Sequence, residues 1–149
     1  MALIVEKIDD GTVIDHIPAG LGLKVLEILK IDKDYNARVA LVMNAASRKM
    51  GKKDIVKIEG KKIDEKTANK IALIAPNATL NLIKNSEVVE KTPVKLPKEL
   101  VGVFKCPNPQ CMTNVEPIET IFKLEKMEPE RKLRCSFCEL VFEAKELLV

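Results

Sequence analysis

The chain contains no tryptophan, one tyrosine and four phenylalanines among 149 residues, so aromatics make up only 3% of it. Its cores must therefore be built mainly from Ile, Leu and Val. The shortage also argues against nucleic-acid binding by stacking, because a sheet that reads unpaired bases needs exposed aromatic rings. Tyr35 is the only tyrosine, and no phenylalanine occurs before Phe104. No segment approaches the run of about 18 apolar residues that a membrane span requires. The start, Met1-Ala2-Leu3-Ile4-Val5-Glu6-Lys7, lacks the basic opening and unbroken apolar stretch of a signal peptide. A cytoplasmic protein with no membrane partner is the expectation. Neither a Gly-x-Gly-x-x-Gly nor a Gly-x-x-x-x-Gly-Lys segment is present, which excludes Rossmann and P-loop nucleotide sites. The formal net charge of +3 is too small to indicate nucleic acid by itself.

Cysteine is absent until residue 106, and then four appear: Cys106, Cys111, Cys135 and Cys138, spaced C-x4-C-x23-C-x2-C. Two close pairs joined by a long excursion suit a tetrahedral metal, each pair supplying two ligands from one tight turn. Four thiolates leave no coordination position for water or substrate, so the expected ion is one structural Zn2+, with iron in a rubredoxin-like site as the alternative. A reducing cytosol disfavours disulfides between them. The zinc-deaminase pattern is missing, because the single histidine, His16, lies ninety residues upstream of the first knuckle. No serine or cysteine has the surroundings of an activated nucleophile, and no enzyme activity is expected.

Composition divides the chain near residue 97. The stretch Lys91-Thr92-Pro93-Val94-Lys95-Leu96-Pro97-Lys98 has two prolines within five positions and reads as an extended linker. Before it, alternation predicts strands over Ala2–Ile8, Thr12–Ile17, Asn36–Asn44, Asp54–Glu59, Thr79–Ile83 and Glu87–Lys91. Helical spacing predicts helices over Leu21–Ile31 and from Asp64 to Pro76, and a basic loop is expected over Ser47–Lys53. The order is that of an α+β, ferredoxin-like βαββαβ sandwich with an extra hairpin strand, in residues 1–97. Residues 98–149 read as a small antiparallel β, zinc-ribbon-like domain with strands over Ile118–Leu124, Lys132–Arg134 and Leu140–Glu143. A domain of about 50 residues is marginal without a staple, and the metal supplies one.

Lysines cluster at Lys49, Lys52, Lys53 and Lys57 beside Arg48, and again at Lys91, Lys95 and Lys98. A solvated face is the ordinary reading, although lysines on adjacent strands can also converge on a phosphate chain. Asp15 and His16 close a strand just before a helix, where polar side chains can meet a ligand. A nucleic-acid-binding zinc ribbon is the rival reading of the second domain. Against it stand Glu116, Glu119, Glu125, Glu128, Glu130, Glu139, Glu143 and Glu146, which repel phosphate.

Five stretches then converge: GTVIDHIPAG at 11–20, MGKKDIVKIEG at 50–60, IAPNATLNLIKNSEVVEK at 74–91, and the CPNPQC and CSFC knuckles. Together they resemble the regulatory chain of aspartate carbamoyltransferase, the allosteric subunit of an enzyme of pyrimidine biosynthesis, over nearly the entire sequence. The resemblance implies a non-catalytic subunit with a nucleotide-binding allosteric domain and a zinc domain that docks on the catalytic chain. It implies CTP and ATP as competing effectors, with UTP a further candidate, and a regulatory-chain homodimer. Carried over by position, Asp15, His16, Lys57, Asn81 and Lys91 are the implied effector contacts. Val5, Glu6, Ile8, Val13, Thr79, Ile83 and Val88 are the implied contacts around base and ribose. Ser86 stands where some relatives carry a bulkier aromatic residue.

Overall fold

The structure is a computed structural model that describes residues 9–128 and 130–148. The strand expected over Ala2–Ile8, with Val5, Glu6 and Ile8, lies outside the described residues. The first unit runs β1 (Gly11–Pro18), α1 (Gly22–Ile28), β2 (Val39–Ser47), β3 (Gly51–Glu59), α2 (Glu65–Ile74), β4 (Thr79–Lys84) and β5 (Glu87–Pro93). Its five strands are ordered β2-β3-β1-β4-β5, and every neighbouring pair is antiparallel. This is the split βαββαβ order expected from the sequence, with β5 as the added hairpin strand.

One sheet face is apolar, and the helices cover it. Ile14, Ile17, Val56 and Ile58 are fully buried there with Val25 of α1 and Ile71 and Ala72 of α2. At about 1.5–3 kcal/mol for each fully buried large aliphatic side chain, this layer is the main source of cohesion in the unit. Asp64 caps α2 as its sequence signal suggested, accepting a hydrogen bond from the Thr67 amide at 2.7 Å.

Helix α1 stops three residues before the predicted Ile31. Lys30 adopts φ 59°, the Lys30 amide donates to the Glu27 carbonyl, and the Ile31 amide reaches back to Leu26. These are the two bonds of a Schellman stop, made without the glycine that usually signals one. Strand β2 continues to Ser47 rather than ending at Asn44. Asn44 takes φ 61° in a bulge, where Met43 and Asn44 oppose Asp54 alone, and pairing resumes at Ala45 with Lys53. The predicted basic loop shrinks to a tight turn, and Lys52 and Lys53 belong to β3.

A second bulge faces the same point of β3 from the other side. In β1, Ile14 pairs with Val56 and Ile17 with Asp54, so Asp15 and His16 together oppose Ile55. Asp54 lies between the two bulges and is fully buried. Its Oδ2 accepts from the amides of Gly20 (3.0 Å) and Gly22 (2.8 Å), and its Oδ1 from that of Asn44 (3.0 Å). A Cβ on Gly22 would lie 2.9 Å from Asp54 Oδ2 and 2.5 Å from a Leu41 methyl, so only glycine permits this approach.

The second unit comprises β6 (Glu99–Val101), α3 (Met112–Val115), β7 (Ile121–Lys126), β8 (Lys132–Cys135), β9 (Val141–Glu143) and α4 (Ala144–Leu147). Its four strands are ordered β6-β7-β8-β9 and are antiparallel. Strand β7 starts three residues after the predicted Ile118, because Thr120 is held outside the ladder by a bond from its hydroxyl to the Phe104 carbonyl. β6 and the two single-turn helices were not predicted. The core contains Leu100, Phe122 and Leu133, with Phe104 and Phe142 edge-on to Phe122.

The proline-containing stretch is not a free linker. β5 runs on to Pro93, and the Val94 amide donates to the Ala78 carbonyl at 3.0 Å with Val94 buried in the first core. Leu96 packs against both cores, and Leu73 of α2 is buried in the second one.

We expect Asp54→Ala to destabilise the chain by about 3 kcal/mol, since it leaves buried amides without an acceptor. Urea unfolding followed by far-UV circular dichroism measures this, and an effect below about 1 kcal/mol would show the pin to be dispensable.

Candidate functional site

Two sites emerge from this architecture. In the second unit, the first knuckle leads into α3, and β8 delivers Cys135 into the turn that carries Cys138. The Sγ atoms of Cys106, Cys111, Cys135 and Cys138 all lie within 4.8 Å of one another. Cys106 and Cys138 sulfurs are 3.7 Å apart, and those of Cys111 and Cys135 are 3.8 Å apart. Zn–S bonds of about 2.3 Å in a tetrahedron require sulfurs about 3.8 Å apart, and these two pairs stand at that spacing.

Backbone amides point at the sulfurs. Those of Asn108, Thr113, Phe137 and Cys138 donate to Cys106, Cys111 and, for the last two, Cys135. Asn114 closes the first knuckle, its side-chain amide donating to the carbonyls of Cys106 (2.9 Å) and Asn108 (2.6 Å). Burial pushes the Cys106 thiol well up and raises that of Cys135. Burial also raises Cys111, but hydrogen bonds from the Thr113 hydroxyl and amide outweigh it and bring that thiol to about 7. The amide bonds favour the thiolate, the form a metal requires, but without a metal only at Cys111 do they prevail over burial. The four are the only Cys, His, Asp or Glu group of this kind among the described residues, and the set holds no histidine or carboxylate.

The other site is the sheet face opposite the helices. Lys57 of β3 pairs with Val13 of β1, Val13 with Asn81 of β4, and Asn81 with Lys91 of β5. Because paired residues in adjacent strands share a face, these four form one row across the sheet. Alternation puts the row on the side away from Ile14 and Val56. Asp15 pairs with Thr79 in the next position along, and Gly11 with Ile83, which in turn faces Val88. The described effector positions carried over from the sequence thus come together on one surface.

The β1 bulge sets the chemistry at one end of this surface. His16 adopts φ 61°, and its Nδ1 lies 3.4 Å from the Thr79 hydroxyl. Lys53 Nζ bridges both carboxylate oxygens of Asp15, at 2.9 and 3.2 Å. Burial alone would raise the Asp15 pKa. The Lys53 hydrogen bond, the His16 amide and the nearby positive charges act against it, and the net result lies below the usual carboxylate value. Asn81 is buried, with its amide nitrogen 3.4 Å from the Val13 carbonyl. Lys57 and Lys91 have no ion-pair partner among the described residues. At the far end, the Ser86 hydroxyl and amide bond Asp9, tying the β4–β5 turn to the approach to β1.

Lys53 was not singled out as a site residue from the sequence. Its position in a presumed loop concealed it. Once β3 is traced back to Gly51, the spacing Lys53, Ile55, Lys57 places both lysines on the same face.

The architecture is that of a two-unit protein with a lysine-bearing open face on one sheet and a four-thiol cluster suited to a metal beside the other. The family model described as aspartate carbamoyltransferase regulatory chain, allosteric domain, matches residues 3–95, and the one described as its metal binding domain matches residues 98–148. The aspartate carbamoyltransferase regulatory chain of Thermococcus gammatolerans is 49% identical over 146 residues, covering 98% of this chain and 96% of the relative. That of Pyrococcus abyssi is 52% identical over 147 residues, with the same coverage. That of Sulfolobus acidocaldarius is 50% identical over 148 residues, covering 98% of this chain and 89% of the relative. The chain belongs to the aspartate carbamoyltransferase regulatory chain family and is a non-catalytic regulatory subunit.

The lowered Asp15 pKa has a consequence for acid stability. A carboxylate whose folded pKa is depressed adds stability above its unfolded value, near 3.9, and loses it as pH falls through the folded value. Asp15→Asn should therefore flatten the loss of stability below about pH 4 while changing little in its slope between about pH 5 and 7. Urea midpoints measured across that range would show it, and parallel acid profiles for the two proteins would count against the Asp15–Lys53 pair.

Proposed function

We propose that the open face of the first sheet binds nucleoside triphosphates, with CTP and ATP competing for one site and UTP a further occupant. The observation that carries this reading is the register row Lys57–Val13–Asn81–Lys91, flanked by the bulge that presents Asp15 and His16. Two ammonium groups without an ion-pair partner among the described residues sit at opposite ends of a row whose middle is neutral and partly apolar. That spacing suits a ligand with a separate anionic chain and polar sugar. Lys91, on the exposed β5, is assigned to the triphosphate and Lys57 to ribose and phosphate oxygens. Lys53 already neutralises Asp15, which leaves that carboxylate an acceptor for ribose hydroxyls. His16 donates to phosphate or ribose. Val13, Ile83 and Val88 supply apolar contact to the base, with Val5, Glu6 and Ile8 assigned from sequence alone.

The four cysteines are assigned one structural Zn2+, which would cross-link the two knuckles and fix the surface that docks on a catalytic chain. Apolar side chains are exposed beside this centre: Met112 and the three-quarters exposed Val115 on α3, with Leu140 and Val141 near the second knuckle. Exposed apolar residues at a rigid rim are what a partner chain would cover. Residues 1–97 act as the allosteric domain and residues 98–149 as the docking domain, in a cytoplasmic holoenzyme of pyrimidine biosynthesis. Among the described residues β2 and β5 are the edges of the first sheet, and we assign the pairing of two regulatory chains to such an edge.

Regulation requires that a nucleotide bind one quaternary state more tightly than another, with a coupling of about 1–3 kcal/mol. The buried Leu73, on a helix of the first unit but in the core of the second, gives that difference a packed route between the two units.

Lys91→Ala should weaken CTP binding about tenfold or more by calorimetry while leaving assembly intact, and unchanged CTP affinity would remove Lys91 from the site. Stripping the metal with a chelator should abolish cosedimentation with an aspartate carbamoyltransferase catalytic chain yet spare CTP binding. Assembly surviving in a metal-free preparation would refute the assigned role of the zinc.

A further inference from the structure

The sulfurs of the thiol cluster are not held alike. Cys111 Sγ lies 3.2 Å from the Thr113 hydroxyl, the only non-cysteine side chain hydrogen-bonded to any of the four sulfurs among the described residues. Cys106 and Cys135 accept backbone amides and face other cysteines. The Thr113 hydroxyl has no second hydrogen-bond partner among the described residues. A free thiol can donate to this hydroxyl or accept from it. A metal-bound sulfur carries no proton and can only accept, so toward a loaded centre the hydroxyl is the donor.

Burial gives that bond its weight. Four thiolates carry more negative charge than one divalent ion neutralises, and in a dry centre the excess is offset by donors aimed at the sulfurs. Cys111 is 1% exposed, so water does not replace a donor lost there. Cys138, by contrast, is only partly buried and is open to water.

The position of Thr113 in the chain gives the bond a second role. It lies in α3 between Met112 and Val115, the exposed apolar residues assigned to the docking rim. Asn114 ties the same helix to the carbonyls of Cys106 and Asn108, and Thr113 ties it to a sulfur.

We propose that Thr113 is a positioning residue of the metal centre, its hydroxyl donating to metal-bound Cys111 and joining that centre to the helix of the docking rim. The proposal rests on the assignment of a metal to the four cysteines. Without the hydroxyl, electron density on the Cys111 sulfur rises, the metal is held less firmly, and α3 loses its side-chain link to the cluster.

The test uses the full chain loaded with Co2+, whose thiolate-to-metal absorption reports electron density on the sulfurs, and a chelator competition for Zn2+. Thr113→Val removes the hydroxyl and keeps the shape of the side chain. It should move the absorption band to longer wavelength and weaken Zn2+ binding about tenfold. Thr113→Ser retains the hydroxyl and should restore the wild-type band, with affinity within about threefold. Should Thr113→Val misfold, Thr113→Ala is read against Thr113→Ser, since both lack the methyl and only one has the hydroxyl. Ser136 supplies the control. Its Oγ is buried in the second knuckle with no partner, so Ser136→Ala should move neither readout. An unshifted band with wild-type affinity in Thr113→Val, or an equal change in Ser136→Ala, would overturn the role of Thr113 and leave the metal assignment standing. A wild-type chain that takes up neither ion would overturn both.

Discussion

The buried carboxylate of Asp54 is the constraint on which the first unit is arranged. It is held between two bulges and spends its acceptors on three backbone amides from three segments: the approach to α1, the first residue of α1, and the bulge of β2. A charged acceptor in a dry interior is tolerable only when its lone pairs are occupied, and here the occupants are the groups that define the local fold. The bulge in β1 depends on the same point, because Ile17 pairs opposite Asp54. With β1 bulged, Asp15 and His16 leave the ladder with β3 and meet Lys53 and Thr79 on the other face. One inward side chain therefore helps to shape the outward chemistry, with Lys53 and Asp54, neighbours in sequence, serving opposite sides of β3.

In the second unit the constraint is the thiol cluster. The core around Phe122, Leu133 and Leu100 belongs to a unit of about 50 residues, a size at which burial alone is marginal. The knuckles instead preset their geometry with amide-to-sulfur bonds and with Asn114, which bring the four sulfurs within 4.8 Å of one another. The two units share side chains rather than a flexible tether. Leu96 touches both cores and Leu73 crosses into the second, which makes a change of packing in one a perturbation of the other.

Much of this was legible in the sequence, and the exceptions share a cause. Strand order, helix α2 with its Asp64 cap, and the metal centre followed from alternation, a capping signal and cysteine spacing, all of which are local. The end of α1 was missed because Lys30 adopts a left-handed conformation that sequence associates with glycine or asparagine. The continuation of β2 was missed because Asn44 is a turn signal that the structure uses inside a bulge. Lys53 was hidden by the same error, since a residue assigned to a loop has no face. The Pro93–Pro97 stretch looked like a tether because the burial of Val94 and Leu96 depends on partners far away in the chain. The register that lines up Lys57, Val13, Asn81 and Lys91 is also non-local, although the residues themselves were identified by resemblance.

The two bulges also bear on which kinds of mutation the chain tolerates. Each is an extra residue already absorbed into the sheet, at Asp15–His16 and at Met43–Asn44. β3 runs straight between them and has no such slack. Inserting or deleting one codon between Lys53 and Lys57 would exchange inside for outside along part of the strand, exposing Val56 and driving Lys57 toward the core. Substitutions on the open face can change its chemistry without disturbing the core, but the length of this segment is fixed by its two neighbours. Diversity in this lineage should accordingly accumulate there as changes of residue type and not as changes of length.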